Sequence, residues 1–148
     1  MDTAPRSAPA NASQGLSRHL PTVARVLLGL IFFVFGLNGF LNFIPTPPPE
    51  QLPKAIVEFT TAMMNTGYFL KFVKGTEVLV GALLLLNRFV PLALTILAPV
   101  IVNIVAIHAF LAPSGLGMAI VILALELYLA WAYRSAFRAM LGANVLPG

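Results

Sequence analysis

The stretch FVPLALTILAPVIVNIVAIHAFL, residues 89–111, contains no aspartate, glutamate, lysine or arginine. A helix needs about 20 predominantly apolar residues to cross the hydrocarbon core of a bilayer, which is about 30 Å thick. This stretch exceeds that length, so it predicts a transmembrane helix. The whole chain has the same character, because 59% of its 148 residues are hydrophobic and only 9% are charged. These properties exclude a soluble globular protein and indicate a small multi-pass membrane protein.

Three more stretches are predicted to cross the membrane, at residues 23–44, 68–86 and 116–133. Four spans of about 20 residues each use more than half of the chain, so no room remains for a separate soluble domain. We therefore expect an all-α membrane protein, a bundle of four transmembrane helices with a short amphipathic surface helix between helices 1 and 2.

The predicted surface helix covers residues 52–66. Ile56, Phe59 and Met63 lie at helical spacing there, opposite a polar side that includes Lys54. This arrangement is typical of a helix that lies in the membrane interface with its apolar side toward the lipid.

The second span is unusual, because its purely apolar part, residues 78–86, is too short to cross the hydrocarbon core. A crossing helix must begin near Tyr68, which brings Lys71, Lys74 and Glu77 into the membrane. A charge at the centre of a lipid-facing helix costs about 2.5–3.5 kcal/mol or more. The polar half of this helix must therefore face the bundle or reach outward.

The basic residues are sorted by membrane side. With four spans, the two termini and the turn at residues 87–88 share one side, and this side carries every arginine of the chain: Arg6, Arg18, Arg25, Arg88, Arg134 and Arg138. All the lysines lie at or near the other side: Lys54, Lys71 and Lys74. The positive-inside rule then predicts that both termini are cytoplasmic.

This topology divides the chain into three parts. We expect a disordered cytoplasmic tail at residues 1–20, a four-helix transmembrane domain at 21–141 and a short C-terminal tail at 142–148. The first part is rich in alanine, serine, proline and asparagine and has almost no apolar run, which is typical of disorder.

Several kinds of chemistry are excluded by what the sequence lacks. The chain has no cysteine, so it cannot form a disulfide, a CxxC redox relay or a cysteine-ligated cluster. No spacing of histidine and glutamate is typical of a metal site, and no basic run with interleaved aromatic residues indicates nucleic-acid binding. The basic residues flank apolar segments, so contact with lipid head groups explains them better.

Polar residues occur in all four predicted spans. Counting about 1.5 Å per residue along each helix, most of them lie at or outside the membrane midplane. The pattern predicts a polar pocket that is open to the outside and closed by an apolar floor. The candidate ligand-binding residues are Asn38, Lys74, Glu77, Asn103, His108 and Glu126.

Each candidate also has a purely structural explanation. Lys74 and Glu77 are three residues apart on one helix and could only neutralise each other. Burial favours the neutral form of Glu126, which could hold helices together or carry protons. Asn38 could form an interhelical hydrogen bond, and His108 could simply lie at the interface.

Three segments of this chain resemble the DoxX family. They are ARVLLGLIFFVFGLNGF (residues 24–40), GTEVLVGALLLLNRFVPLALTILAPVIVNIVAIHAFLAPSGLG (75–117) and ELYLAWAYRSAFRAML (126–141). The resemblance covers the whole membrane part, about residues 24–141. Its more distinctive points are the stretch 36–40, Glu77 with Gly81 one turn later, and His108 at the end of the third span.

The resemblance implies a four-helix bundle in a bacterial inner membrane. It also implies a connection with quinones, because the family is associated with the membrane subunit of a thiosulfate:quinone oxidoreductase. Glu77 and His108 are the positions that carry over to this chain. Family members often have a basic residue just after the glycine of the first span, where this chain has Asn38 followed by Gly39.

Three functions remain open at this point. The first is a binding or accessory subunit whose outward-facing polar pocket takes a lipophilic ligand or a partner protein. The second is the membrane subunit of a quinone-linked oxidoreductase, which would need a membrane-associated redox partner. The third is a small transporter that acts as a dimer, because four spans without a detectable internal repeat argue against a transporter that acts alone. Quinone is the possible cofactor, and a homo-oligomer is possible in each case.

Overall fold

The computed structural model describes residues 12–140, which are almost entirely helical. The α-helices are α1 (Ala12–Leu41), α2 (Lys54–Asn65), α3 (Phe69–Leu85), α4 (Val90–Phe110), α5 (Leu116–Ala132) and α6 (Arg134–Met140). Short 3₁₀ turns at Pro49–Gln51 and Pro113–Gly115 precede α2 and α5. The range 12–140 contains no strand, so the predicted all-α class is confirmed.

Within residues 12–140, three helices are long and apolar enough to cross a membrane. They are His19–Leu41 within α1, Val90–Phe110 (α4), and Pro113–Ala132, which joins a 3₁₀ turn to α5. Large apolar side chains on their outer surfaces are exposed, including Phe35, Phe110 and Trp131. Such a surface is stable against lipid but not against water, so the protein is embedded in the bilayer and contacts its lipids.

The core is built by α1, α3, α4 and α5. The helix α1 packs along α3, α4 packs against α5, and further contacts join α1 to α5 and α3 to α4. Each helix contributes a completely buried leucine, namely Leu28, Leu84, Leu97 and Leu129. The four helices therefore enclose one continuous apolar core, although α3 is shorter than the three long helices.

The contact between α1 and α3 depends on glycine. A Cβ atom added to Gly36 would lie 2.8 Å from the backbone nitrogen of Val78, and one added to Gly81 would press on the backbone of Phe33. The two helices thus touch backbone to backbone, as small residues permit in membrane helices. By contrast, a Cβ on Gly75 would meet nothing within 4 Å, so this glycine does not serve the contact.

The N-terminal end of α1 differs from the sequence-based expectation. The helix begins at Ala12, so residues 12–20, which we predicted to be part of a tail, are helical. The proline at position 21 lies inside the helix. The rest of the predicted N-terminal tail and the predicted C-terminal tail at 142–148 lie outside the described residues.

Arg25 has a structural role that its position among the basic residues did not predict. Arg25 is buried in α1, and its Nη1 donates hydrogen bonds to the backbone carbonyls of Leu84 and Leu85, the latter at 3.4 Å. These carbonyls belong to the last turn of α3, where a helix has unpaired acceptors and partial negative charge. Arg25 therefore caps α3 in addition to its contribution to the charge asymmetry.

Candidate functional site

A cavity of about 250 Å³ lies between α1, α3, α4 and α5. Its polar lining consists of Lys74, Glu77 and His108, and its apolar lining consists of Ile31, Phe32, Phe35, Ile104, Met118 and Ile122. We call this space the outer cavity, because it is lined by the C-terminal half of α1, the N-terminal half of α3 and the end of α4, which the sequence predicts to face outward. The structure thus brings together three of the six candidate residues.

Lys74 and Glu77 form an ion pair inside the outer cavity. The Nζ atom of Lys74 lies 2.8 Å from Oε2 of Glu77, and the two side chains are 25% and 6% exposed. A spacing of three residues places both side chains on one side of α3. The pairing keeps a nearly buried carboxylate from being an isolated charge in the membrane.

Glycines of α1 make room for this pair. A Cβ on Gly36 would lie 3.0 Å from Cβ of Glu77, and a Cβ on Gly39 would overlap the aliphatic chain of Lys74. Because neither glycine has a side chain, the polar half of α3 can press against α1. The stretch at residues 36–40, which carries part of the family resemblance, therefore has a direct physical role beside the ion pair.

His108 reaches the cavity from the last turn of α4. Its Nδ1 lies 3.2 Å from the carbonyl oxygen of Ala112, and its ring packs against Gly115, where a Cβ would collide with it. A carbonyl oxygen can only accept, so Nδ1 must carry the hydrogen in this bond. In the neutral ring, Nε2 is then a hydrogen-bond acceptor.

The outer cavity opens toward the lipid. Two of its lining residues, Phe35 of α1 and Met118 of α5, are 51% and 61% exposed on the lipid-facing surface. The opening therefore lies between α1 and α5. A volume of about 250 Å³ is below the range of about 300–1,000 Å³ that is typical for whole small ligands. The space suits a ring or head group whose tail remains in the bilayer.

Asn38 and Asn103 do not line the outer cavity. Oδ1 of Asn38 accepts a hydrogen bond of 2.7 Å from the backbone N–H of Ile44, which fastens the chain where α1 ends. Asn103 is exposed on the side of α4 that faces away from the bundle. The sequence gives the position of a residue along a helix, but it does not fix which side of the helix the residue occupies.

Glu126 is also separate from the outer cavity. It lines a different space of about 230 Å³ together with residues of α4 and α6, among them Thr95 and Phe137. The residue is only 5% exposed, and its Oε2 has no hydrogen-bond partner among the described residues.

A third cavity, of about 380 Å³, lies between the C-terminal ends of α1 and α2 and the start of α3. Asn42, Met63 and Lys71 are among its lining residues. Gly39 also lines it, and the aliphatic chain of Lys74 lies against this glycine. Lys74 therefore lines the outer cavity and also contacts a residue that lines the third cavity.

Sequence reasoning missed the apolar half of the site. Phe32, Phe35, Met118 and Ile122 belong to generally apolar helices, so no local signal distinguishes them from residues that face lipid. Within the described residues, no group of three or more histidine, aspartate or glutamate side chains could hold a metal ion.

Comparison with known proteins identifies a family. The family model for DoxX matches residues 20–112, which include the transmembrane part of α1 and all of α2, α3 and α4. The comparisons with curated proteins and with solved structures gave no match. Because the family model covers more than half of the chain, this multi-pass membrane protein belongs to the DoxX family.

Proposed function

We propose that the protein is a binding or accessory subunit whose outer cavity holds the head group of a lipophilic ligand, with quinone as the leading candidate. The observation that carries the proposal is the position of His108 beside the Lys74–Glu77 ion pair in one small cavity. These groups come from two helices and lie behind an opening to the lipid. Polar groups that converge in a small apolar space are typical of ligand sites.

The polar groups match both redox forms of a quinone head group. An ammonium group has three N–H donors, so Lys74 can donate to a quinone carbonyl while it keeps its bond to Glu77. The Nε2 atom of His108 and the carboxylate of Glu77 can accept hydrogen bonds from the hydroxyl groups of a quinol. The isoprenoid tail of the ligand would leave between Phe35 and Met118.

The proposal includes α3 as a fourth transmembrane helix. Its 17 residues span about 25 Å, slightly less than the hydrocarbon core. Two features support a crossing: α3 packs along α1, and Val80 and Leu84 are completely buried in the common core. The exposed Lys71 lies in the first turn, where its side chain can reach the interface.

We further propose that α2 lies on the outward-facing surface of the membrane in which the bundle is embedded. None of its residues is buried, and its ion pair of Lys54 with Glu58 is largely exposed. The apolar side of the helix would contact lipid. With four crossings, residues 21–141 form one domain, both termini are cytoplasmic, and the outer cavity faces outward in a bacterial inner membrane.

A second candidate function is the membrane subunit of a quinone-linked oxidoreductase. The specific observation in its favour is that the outer cavity contains both a donor for a quinone and an acceptor for a quinol. Since the chain has no cysteine to hold a redox cluster, electrons would come from a separate redox partner.

A comparison of quinone with quinol tests the proposal. The affinity of the purified protein for decylubiquinone and for its quinol would be measured by equilibrium dialysis in detergent. A hydrogen bond contributes about 0.5–1.5 kcal/mol, so His108→Ala should weaken quinol binding about two- to tenfold and quinone binding less. Asn103→Ala, a change on the lipid-facing side of α4, is the matched control. Equal affinities for both variants and the wild type would refute the assignment.

A further inference from the structure

A second polar site lies on the other half of the bundle, around Glu126 of α5. This residue is 5% exposed, and no basic group of the described residues lies within salt-bridge distance of it. Its Oε2 also lacks a hydrogen-bond partner among these residues. A carboxyl group in the membrane without a partner is costly when it is charged, so the group requires a proton or another cation.

The space beside Glu126 can accept a small molecule. A cavity of about 230 Å³ is lined by Glu126 and by apolar groups that include Leu94, Ala98 and Phe137. Thr95 and Ala98 are exposed on the side of α4 that faces away from the bundle, so the cavity can be reached from the lipid. It shares no lining residue with the outer cavity.

The polar atoms of this cavity are acceptors. The hydroxyl of Thr95 donates its hydrogen to the carbonyl oxygen of Pro91 at 2.9 Å. Toward any other molecule the hydroxyl oxygen can therefore only accept a hydrogen bond. The carboxylate of Glu126 is an acceptor as well. A site with acceptors and apolar walls is suited to an organic cation and not to an anion.

None of the basic side chains that the structure describes on the neighbouring helices forms an ion pair with Glu126. Arg25, on α1, donates to the end of α3. On α6, the guanidinium of Arg134 lies 4.7 Å from the ring centroid of Trp131 and donates to its carbonyl oxygen, and Arg138 is exposed. The only ionisable residue of α4 is His108, which lines the outer cavity. Among the side chains that the structure describes, Glu126 thus has no competing ion pair.

We infer that the Glu126 cavity is a second binding site, which takes either a proton or a small organic cation with apolar substituents. When the cation binds, the carboxylic acid releases its proton to the aqueous phase and the carboxylate pairs with the cation. The charge within the membrane is balanced in both states, which avoids the cost of an isolated ion. This site does not depend on a ligand in the outer cavity.

The test uses benzyltrimethylammonium and the full chain in detergent. Calorimetric titrations in two buffers with different enthalpies of ionisation give the number of protons released per bound cation. We expect a release approaching one proton at pH values where Glu126 is protonated, together with an affinity that rises with pH. Neopentylbenzene, an uncharged molecule of the same shape, should release none. Cation binding without proton release, or no binding at all, would overturn the inference.

Two variants locate the site. Glu126→Gln should abolish binding of the cation, whereas Glu58→Gln, the same change on the exposed side of α2, should leave it unchanged. Ala98→Phe fills the mouth of the cavity and should weaken binding at least tenfold while the carboxyl group remains. Circular dichroism and gel filtration establish that each variant is folded. Unchanged affinity in a folded Glu126→Gln or Ala98→Phe protein would contradict the inference, as would a loss that occurs only in Glu77→Gln.

Discussion

Individual polar residues in this protein are stabilised by neighbouring groups, some of which only the fold brings close. Lys74 neutralises Glu77 at 2.8 Å, and Gly36 and Gly39 provide the space in which the pair fits against α1. A side chain at either glycine would collide with α3 at this pair or directly beside it. The ion pair and the glycines are therefore one structural unit, and it forms one wall of the outer cavity.

The first prediction concerns the coupling of this pair. Breaking a fully buried ion pair by removing one partner costs about 3–5 kcal/mol, and the 25% exposure of Lys74 makes the lower end appropriate here. Lys74→Met and Glu77→Gln should each lower the free energy of unfolding in detergent, and the double variant should recover part of the loss. Thermal unfolding followed by circular dichroism measures the effect.

The matched control is the exposed pair of Lys54 and Glu58 on α2, whose nitrogen and oxygen atoms are 3.5 Å apart. Exposed pairs contribute about 0–1 kcal/mol, so Lys54→Met and Glu58→Gln should change little. If the losses of Lys74→Met and Glu77→Gln simply add in the double variant, the two residues are not coupled.

At the scale of helices, the sequence was most informative where an element is long and uniformly apolar. The predicted first, third and fourth spans correspond to the three helices that are long enough to cross a membrane. The sequence placed the start of the first span at Val23, whereas α1 begins at Ala12, because a proline-containing polar segment continues a helix that is already stabilised by its apolar part. Helix propensity is a weak guide in such a context.

The site was only partly predictable for a geometric reason. Sequence gives the depth of a residue along a helix, but its rotation is set by packing with neighbours. Lys74, Glu77 and His108 share a cavity, whereas Asn38 fastens the end of α1 and Asn103 faces outward. The residues at similar depth therefore have different roles, which no pattern within a single helix can distinguish.

The second prediction tests the contact between α1 and α3. Gly36→Ala places a methyl group within 2.8 Å of the Val78 backbone, which cannot yield as a flexible side chain would. Overpacking of this kind costs about 1–3 kcal/mol, and it should also disturb Glu77.

Gly75→Ala is the control for this prediction, because a methyl group there meets open space. Alanine is favoured over glycine inside a helix by about 1 kcal/mol, so this variant should be at least as stable as the wild type. Differential scanning calorimetry in detergent compares the two variants. Equal midpoints of unfolding would show that the two helices do not approach as closely as described.

At the scale of the whole molecule, the distribution of the arginines and the position of the outer cavity together predict the side from which a ligand would enter. The arginines predict the cytoplasmic side, and the outer cavity lies at the opposite end of the bundle. A lipophilic ligand would then enter from the outer leaflet of the membrane, between α1 and α5.

The third prediction tests this orientation, and a chain without cysteine makes the test direct. Ser114 and Ser135 are both exposed and lie near opposite ends of α5. A cysteine at position 114 should react with a membrane-impermeant maleimide in intact cells, whereas one at 135 should react only after lysis. Labelling of Ser135→Cys before lysis would reverse the proposed topology.

The central claim is that the outer cavity holds the head group of a lipophilic ligand. The most direct measurement is photochemical cross-linking with an azido-quinone, followed by mass spectrometry of the labelled peptides. We predict adducts near the opening, at or beside Phe35 and Met118, and their loss in the folded double variant His108→Ala with Glu77→Gln. Adducts confined to other surfaces, or labelling of the outer cavity that is unchanged in the double variant, would contradict the claim.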